Sequence, residues 1–489
     1  MTTVWTAGYL PGLPPEDVDW HTLAFEGADG GLHVALPVLD GTQMKALARR
    51  VKEASREHLR PLPVSSIIGI VDRAVARLLD PQDPFRREAD QLLPRVTGFD
   101  PEMVRLALTA YLRTFRAAQL HRFVAEDFSN PKVLDEFQPA VKGGAVRAIG
   151  PALLVHSWAG NVPALPLWSL VCGLLVKAGN IGKLPSAEPV FASLFARLLA
   201  QVHPPLADCL AVVWWKGGDP APAATLFREA DTVLAYGAND VVEQVRAQVP
   251  ATTRFLPFGH KLGLAMIGRC ALDSHHGPAT ARLAAQDVVR WEQQGCYSPH
   301  VFYVERGARI DPREFAQYLA AELANLQHRF PRRPLSLQDG AAVARWRQSA
   351  ESRALADEGA ELIGDEQAAW AVACSDRLLP LAPTAGHRCV QVVAVDTLEE
   401  AAGSLAPHAV FLQTVAVAVA PARLYALAEC LARVGVTRIT APGAMAAPEA
   451  GWHHDGGFNL LGLVRMVEIE HIAERASEHL APYAEEDHA

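Results

Sequence analysis

The chain has 489 residues, of which 50% are hydrophobic and 20% are charged, and its formal net charge is −9. This length predicts about two or three domains with a large core. The acidic balance argues against a nucleic-acid-binding surface, which needs clustered basic residues. The seven cysteines form no CxxC pair, so we expect no disulfide framework, no metal site and a reducing, cytoplasmic setting. We also expect no signal peptide and no membrane-spanning helix.

The N-terminal third of the sequence predicts short strands followed by helices. Residues 1–40 carry Pro and Gly turns between short apolar pieces, which is typical of strands and loops. Residues 136–150 predict a hairpin that turns at Gly143–Gly144. The last ten residues are acidic and polar and are predicted to be disordered. Apolar residues at three- and four-residue spacing predict three amphipathic helices, at 44–58, 67–79 and 101–123.

From residue 151, buried-strand runs alternate with helical runs, which predicts a parallel, doubly wound α/β sheet whose ligands bind beyond the carboxyl ends of the strands. A second alternation begins at 265–267 and predicts a second α/β domain. The strands of the first unit are predicted at 151–157, 180–184, 209–215 and 232–236, and its helices at 162–177, 189–202, 220–229 and 240–248. In the second unit, strands are predicted at 300–304, 390–395, 414–420 and 438–440, and helices at 312–326, 398–405 and 422–435. A last strand is predicted at 465–469.

The stretch 288–299, VVRWEQQGCYSP, carries the candidate nucleophile, Cys296. Gly295 lets the backbone approach a ligand closely, and the two preceding glutamines offer polar contacts. The apolar run after it, HVFYV, anchors the segment in a sheet. A cysteine taken alone is more often a buried, inert residue, so the case for Cys296 depends on the other clusters along the chain.

Three polar clusters follow predicted strands. Asn161 is placed either to donate to an oxyanion or to cap the following helix. Lys183 and Ser186 lie in a turn that could hold a ribose or phosphate, although a lysine there is more often a surface residue. Gly237 and Asn239 open a helix whose N-terminus could bind a pyrophosphate. This turn lacks the GxGxxG pattern, so an ordinary strand-to-helix loop is its alternative interpretation.

The order and spacing of these clusters and Cys296 resemble those of the aldehyde dehydrogenase superfamily. The closer resemblance is to the long-chain acyl-CoA reductases, the LuxC-type fatty-acid reductase subunits of bacterial bioluminescence. The Asn and Cys motifs are common to the superfamily, whereas the LLDPQDP and HHDG stretches indicate the reductase branch. The stretches that carry the resemblance are 78–104, 160–189, 291–305 and 451–465.

The resemblance implies an aldehyde-dehydrogenase-like α/β fold and a homo-oligomer. Residues 1–258 would form the N-terminal helices and a dinucleotide-binding domain that includes the oligomerisation hairpin. Residues 259–440 would form the catalytic domain with Cys296, and residues 441–489 a C-terminal return and oligomerisation segment. The WHHDGG turn in this last segment is assigned to site architecture rather than to chemistry.

One departure from the superfamily separates reduction from hydrolysis. Hydrolytic members carry a glutamate in a Leu-Glu-Leu-Gly-Gly-Lys segment, where it activates the water that cleaves the acyl-enzyme. The matching segment here runs from Leu256 to Lys261, and Pro257 takes the place of the glutamate. Proline cannot act as a base, and no acidic residue lies between Arg254 and Cys270. We therefore expect a cavity in which no carboxylate can activate water.

A second departure concerns the cofactor. Members of the superfamily that prefer NAD often place a glutamate three residues after the lysine, and Ser186 stands there in this sequence. A small hydroxyl beside Lys183 should accept a 2′-phosphate, which predicts NADPH. Glu188 is close enough in sequence to take the place of Ser186 if the alignment shifts.

The resemblance implies that Cys296 attacks the thioester of a fatty acyl-CoA, while Asn161 and the Cys296 backbone N–H hold the oxyanion. NADPH would then reduce the acyl-enzyme to a fatty aldehyde. His260, His453 and His454 are the remaining reactive side chains of the matched stretches. An acyl-protein synthetase is a possible partner. Two alternatives stay open: an NAD-dependent CoA-acylating aldehyde dehydrogenase acting on shorter chains, and a non-catalytic subunit that carries an acyl group.

Overall fold

A computed structural model of the chain describes residues 3–26 and 30–480. The predicted disordered tail lies outside this range, apart from Leu480. No helix in the described residues is long and apolar enough to cross a membrane. The helices are α1 Gly41–Ala54, α2 Val64–Leu79, α3 Pro84–Thr97, α4 Pro101–Arg113, α5 Ala117–Asp127, α6 Pro166–Leu175, α7 Phe191–Val202, α8 Pro220–Glu229, α9 Asn239–Arg246, α10 His276–Val289, α11 Pro312–Arg329, α12 Leu337–Ala356, α13 Leu398–Ser404, α14 Pro421–Arg433 and α15 His471–Glu478. The strands are β1 Thr3–Thr6, β2 Asp19–Phe25, β3 Leu32–Val38, β4 Gln138–Pro139, β5 Ala145–Ile149, β6 Leu153–Ser157, β7 Gly179–Lys183, β8 Leu210–Val213, β9 Thr232–Tyr236, β10 Arg254–Phe258, β11 Leu262–Ile267, β12 Pro299–Glu305, β13 Ala360–Ile363, β14 Ala371–Ser375, β15 Cys389–Val395, β16 Leu412–Ala418, β17 Arg438–Thr440 and β18 Arg465–Ile469.

The first large sheet is parallel and has the strand order β10-β9-β6-β7-β8. Every residue of β6 and β9 is buried, as expected for strands covered by helices on both faces. The predicted doubly wound sheet is therefore confirmed. Its fifth strand, β10, was not predicted, because Pro257 interrupts the apolar run. Proline is tolerated there since β10 is an edge strand.

The second large sheet has the order β13-β14-β15-β12-β11-β16-β17, and β13 is its one antiparallel strand. It confirms the predicted second α/β unit, and the boundary proposed near residue 258 falls between β10 and β11. The helix α12 was not predicted because its sequence is rich in alanine and charge. Only Val343, Arg347 and Ala350 of this helix are buried, so it lacks a continuous apolar stripe.

The prediction of one helix over 101–123 is wrong, because α4 ends at Arg113 and α5 begins at Ala117. The break is stabilised from α2, where the Asp72 carboxylate accepts the Ala117 backbone N–H at 2.7 Å and Arg116 Nε at 2.6 Å. A side chain 45 residues away in sequence thus satisfies the new helix start. Such a contact leaves no local signal in the sequence.

Two small sheets complete the fold. Strands β1, β3 and β2 form the first, as predicted for the N-terminal residues. In the second, β5 pairs with β4 and with β18 in antiparallel register. The hairpin between β4 and β5 turns at Gly143 and Gly144, whose φ values of 89° and 74° are readily adopted only by glycine. The predicted hairpin is confirmed.

Candidate active site

A cavity of about 540 Å³ is lined by residues from both large sheets. On one side are residues that follow the carboxyl ends of β6, β9 and β10. On the other side are residues that precede or begin β12, β15 and β16. The carboxyl ends of strands, which the first sheet contributes, are where parallel α/β sheets bind ligands, and the volume is typical of a small-molecule site.

The structure brings Asn161 and Cys296 together in the wall of this cavity. Asn161 Nδ2 donates a hydrogen bond of 2.5 Å to the carbonyl oxygen of Gln294, two residues before Cys296. The following helix begins at Pro166 with Leu165 at its N-cap, so Asn161 does not cap it. The second amide hydrogen of Asn161 remains for a ligand in the cavity.

Cys296 follows three consecutive residues in the left-handed region, Trp291, Glu292 and Gln293, with φ values of 53°, 49° and 62°. Such residues cost roughly 1–3 kcal/mol each and persist only where the surroundings impose the conformation. The Glu292 side chain is fully buried, and its Oε1 lies 3.4 Å from the guanidinium of Arg388, which is also fully buried. This ion pair, together with the Arg333 backbone N–H that donates to the same oxygen at 2.9 Å, holds the turn that presents Cys296 to the cavity.

The environment of Cys296 favours its neutral thiol. Burial and the negative charge of Asp455 raise the pKa of the thiol to about 11, although a hydrogen bond from the Gln413 side chain opposes the shift. Since thiolate is the reactive form of cysteine, the resting sulfur needs help to lose its proton.

The sequence predicts a cavity in which no carboxylate can activate water, but a carboxylate is present in this cavity. Asp455 lines the cavity together with Cys296, and its Oδ1 accepts a hydrogen bond of 2.6 Å from Gln413 Nε2. Asp455 belongs to the WHHDGG turn, and the two histidines and the aspartate of that turn could have indicated a site residue in the sequence. The His453 ring of the same turn packs on Phe458. Residues 256–261 themselves contain no acidic side chain.

Three histidines line the cavity, His260, His300 and His454. Burial lowers the pKa of all three, that of His300 to about 4. Each imidazole is therefore neutral near pH 7. The His454 ring stacks between Phe258 and Trp452, with ring centroids 4.6 and 4.8 Å away, which fixes it against the wall.

One wall of the cavity is aromatic and continues into the N-terminal helices. Tyr111 of α4, Trp168 of α6 and Trp452 line it. The Trp168 ring lies 6.3 Å from that of Trp452, and it contacts Phe115 and Phe123 at 6.1 and 5.2 Å between centroids. An apolar wall of this kind suits an alkyl chain.

Lys183 ends β7 and is half-buried, and burial lowers the pKa of its ammonium group. Among the described residues no salt bridge joins it to a carboxylate, and its Nζ lies 5.8 Å from the centre of the Trp215 ring. Ser186 is exposed, and its Oγ accepts a hydrogen bond of 3.2 Å from Trp214 Nε1. A cation without an acidic partner, close in sequence to a hydroxyl, fits an anionic group such as the phosphate of a dinucleotide.

The other predicted cofactor residues lie near the first sheet. Gly237 lines the cavity, whereas Asn239 begins α9 and its Oδ1 accepts the His260 backbone N–H at 2.9 Å. Asn239 therefore ties α9 to the loop after β10. Glu188 is buried and accepts the backbone N–H groups at the start of α7, so Ser186 and not Glu188 is the exposed residue of this turn. The cofactor roles of these residues stay predictions.

Comparison with known proteins agrees with this geometry. The acyl-CoA reductase (LuxC) family model matches residues 59–466. The long-chain acyl-protein thioester reductase of Photorhabdus luminescens is 26% identical over 448 residues, which are 90% of this chain and 88% of that protein. The corresponding protein of Vibrio harveyi is 24% identical over 429 residues, covering 85% and 84%.

Among solved structures, lactaldehyde dehydrogenase from Escherichia coli superposes with a TM-score of 0.69 at 14% identity, over 96% of this chain and 99% of that one. The indole-3-acetaldehyde dehydrogenase AldA of P. syringae gives a TM-score of 0.73 at 13% identity, over 95% and 96%. The fold is therefore that of the aldehyde dehydrogenases.

Proposed function

This chain belongs to the acyl-CoA reductase (LuxC) family, and on that premise we propose that it reduces a long-chain fatty acyl-CoA to the fatty aldehyde with NADPH. The family and the fold make it an oxidoreductase. The observation that supports the specific reaction is the meeting of Cys296 and Asn161 in one largely apolar cavity. Pro257, in place of a water-activating glutamate, favours reduction over hydrolysis.

In the first half of the proposed reaction, Cys296 Sγ attacks the thioester carbonyl. Asn161 Nδ2 and the Cys296 backbone N–H donate to the oxyanion, and a donor of this kind is typically worth about 3 kcal/mol. The thiol of the acyl donor leaves, and an acyl-cysteine remains. Acyl-CoA is the donor that we propose. The names of the P. luminescens and V. harveyi relatives make a protein-bound acyl group the other source. An acyl-protein synthetase is the partner that the family resemblance implies for it.

The aromatic wall supports a long acyl chain as substrate. Tyr111, Trp168 and Trp452 offer apolar surface in the cavity that Cys296 lines, and each buried methylene of a chain contributes roughly 0.8 kcal/mol. The N-terminal helices, which supply Tyr111 and the aromatic residues behind Trp168, would then help to set the preferred chain length.

For the cofactor, we propose that Lys183 and Ser186 hold the 2′-phosphate of NADPH and that the Gly237 turn approaches the pyrophosphate. The bound nicotinamide would supply hydride to the acyl-cysteine. Asn239 would shape this turn through its hydrogen bond to His260 rather than touch the cofactor. The cytoplasmic setting expected from the cysteine pattern is part of the same proposal.

We also propose that the protein is a homo-oligomer. All five residues of β18 are exposed, and among them Met466, Val467 and Ile469 are hydrophobic. β18 is the edge of its sheet, and an exposed apolar edge strand readily pairs with another chain. A second copy of this chain is the simplest partner.

The proposed reaction is tested by incubating the purified protein with acyl-CoAs of increasing length while NADPH and NADH oxidation are followed separately. We expect aldehyde formation with NADPH on long chains and its loss in Cys296→Ala. Cys270→Ala is the matched control, because Cys270 is an exposed cysteine outside the cavity. Activity that survives Cys296→Ala would exclude the scheme, and NADH-dependent activity on short chains would favour the CoA-acylating alternative.

A further inference from the structure

Gln413 is held at the cavity in a single orientation. It is buried at the start of β16, its Nε2 donates to Asp455 Oδ1 at 2.6 Å, and its Oε1 accepts the Thr414 hydroxyl at 3.2 Å. These two contacts distinguish the nitrogen of the amide from its oxygen. One N–H of Gln413 remains for the cavity, whose wall Gln413 shares with Cys296.

Asp455 is the only carboxylate among the described residues that line the cavity. Its φ of 52° lies in the left-handed region, which aspartate adopts more readily than most residues. The turn is closed by a bridge between His454 and Gly457. The fold thus fixes a negative charge beside the candidate nucleophile and joins the two through Gln413.

The other charged and titratable groups around the sulfur do not replace Asp455. The charge of Arg438 lowers the pKa of Cys296, which is the opposite of the effect of Asp455. The phenols of Tyr236 and Tyr297 are neutral because burial raises the pKa of each. His454 is also neutral. Asp455 is therefore the group through which the fold can both disfavour a free thiolate by its charge and orient a donor toward the sulfur.

We infer that Asp455 is a positioning residue for Cys296, because it fixes the Gln413 amide so that its free N–H stabilises the thiolate during turnover. Burial is the main cause that keeps the resting sulfur protonated, and the charge of Asp455 adds to it. This inference rests on the proposed function and deepens it. It assigns Asp455 to control of the Cys296 sulfur and not to activation of water.

In acylation the bond from Cys296 Sγ to the carbonyl carbon forms, the thioester C–S bond breaks, and the proton of Cys296 ends on the departing thiol. In reduction, a bound nicotinamide would supply hydride to the carbonyl carbon. The C–Sγ bond then breaks to release the aldehyde, and the thiolate, stabilised by Gln413, takes a proton from solvent. Gln413 thus assists the sulfur both as attacking group and as leaving group.

The test is the pH dependence of Cys296 alkylation by iodoacetamide, followed by mass spectrometry between pH 6 and 11 in the full-length protein. In Asp455→Asn we expect the pH midpoint of Cys296 alkylation to fall and alkylation at pH 8 to become about tenfold faster. The reason is that the negative charge that opposes formation of the thiolate is gone. Turnover should fall by about tenfold, because the neutral amide oxygen of asparagine holds Gln413 Nε2 less strongly than a carboxylate does. A merely structural role does not predict a more reactive thiol with slower turnover. Cys270, alkylated in the same sample, is the internal control.

Gln413→Met, which keeps the side-chain volume but removes the donor, should raise the midpoint and also slow turnover; it decides the question if Asp455→Asn does not fold. An unchanged or higher midpoint in Asp455→Asn overturns the inference. The inference is also overturned if the wild-type acyl-enzyme releases free fatty acid while Asp455→Asn makes aldehyde but releases none. That result would mean that Asp455 activates water. If the wild-type protein is never acylated, the proposed function fails while the alkylation profile still tests the link between Asp455 and Cys296.

Discussion

Glu292 and Arg388 are both completely buried and lie 3.4 Å apart beneath the turn that carries Cys296. Removing one charge of a buried pair leaves the other uncompensated, which typically costs about 3–5 kcal/mol. We therefore predict that Glu292→Gln lowers the free energy of unfolding by this amount, as measured by urea denaturation. Glu429→Gln, which removes a pair with Arg433 on an exposed helix face, should change it by about 0.5 kcal/mol or less. Equal effects of the two substitutions would show that the buried pair does not hold the turn.

Asn161 is expected to act in the transition state more than in binding. We predict that Asn161→Ala lowers the rate of Cys296 acylation about 100- to 1000-fold, as the loss of one oxyanion donor does elsewhere. Rapid-quench measurement with a labelled acyl thioester gives this rate, and iodoacetamide alkylation of Cys296 serves as the control for an intact thiol. A change confined to KM would assign Asn161 to substrate binding.

Glu188 makes stability depend on pH. Its side chain is buried, and burial raises its pKa to about 7 from the ordinary value near 4.5. A carboxyl whose pKa is higher in the folded state stabilises the fold fully below about pH 4.5 and loses this contribution as the pH rises through 7. We predict that the free energy of unfolding falls by roughly 3 kcal/mol between pH 4.5 and 8 on account of this group.

Glu188→Gln keeps an acceptor for the start of α7 and should remove most of that fall. Denaturant titrations at pH 5 and pH 8 measure it, and Glu429→Gln at an exposed position is the control. A fall that persists unchanged in Glu188→Gln would mean that another group carries the pH dependence.

Cofactor preference should depend on Ser186 and Lys183. We predict that Ser186→Glu weakens NADPH binding by about tenfold or more, because a carboxylate repels the 2′-phosphate, while NADH binding is kept or improved. Lys183→Met should weaken NADPH more than NADH. Fluorescence titration gives the affinities without turnover, and Lys45→Met, on α1, is the control. Equal losses for both cofactors in Ser186→Glu would place the 2′-phosphate elsewhere.

Self-association should depend on the exposed face of β18. We predict that Val467→Lys, which adds a charge to this edge strand, shifts the protein toward the monomer in analytical ultracentrifugation while its circular dichroism spectrum is kept. Val141→Lys, at an exposed position of the loop between β4 and β5, tests whether this end of the sheet also takes part in self-association. A wild-type monomer would contradict the proposed homo-oligomer directly.

The sequence predicts those parts of the fold that have local causes. Buried strands such as β6 and β9 read as apolar runs, and the intervening helices carry a 3.6-residue period, so the two α/β units follow from pattern alone. The meeting of Asn161 and Cys296 followed from their places at strand ends and from the family resemblance. Asn161 and Cys296 are 135 residues apart in sequence, and they meet because the two large sheets both contribute residues to the cavity.

The features that were missed depend on distant partners. The left-handed turn before Cys296 is held by contacts of Glu292 with Arg388 and Arg333, and the break between α4 and α5 is stabilised by Asp72. Asp455 reaches the cavity from the last segment of the chain, where the sequence offered only a polar, glycine-containing turn. In each case the deciding interaction is tertiary, and no window of sequence around the affected residue contains it.

Three of the ten tryptophans, Trp168, Trp291 and Trp452, line the cavity. Their indole rings would exchange water for hydrocarbon when a chain enters, and their emission overlaps the absorption band of a reduced nicotinamide. The protein thus contains an intrinsic optical probe of both ligands. Filling of the cavity and arrival of the hydride donor could be timed separately in one stopped-flow trace, without a label.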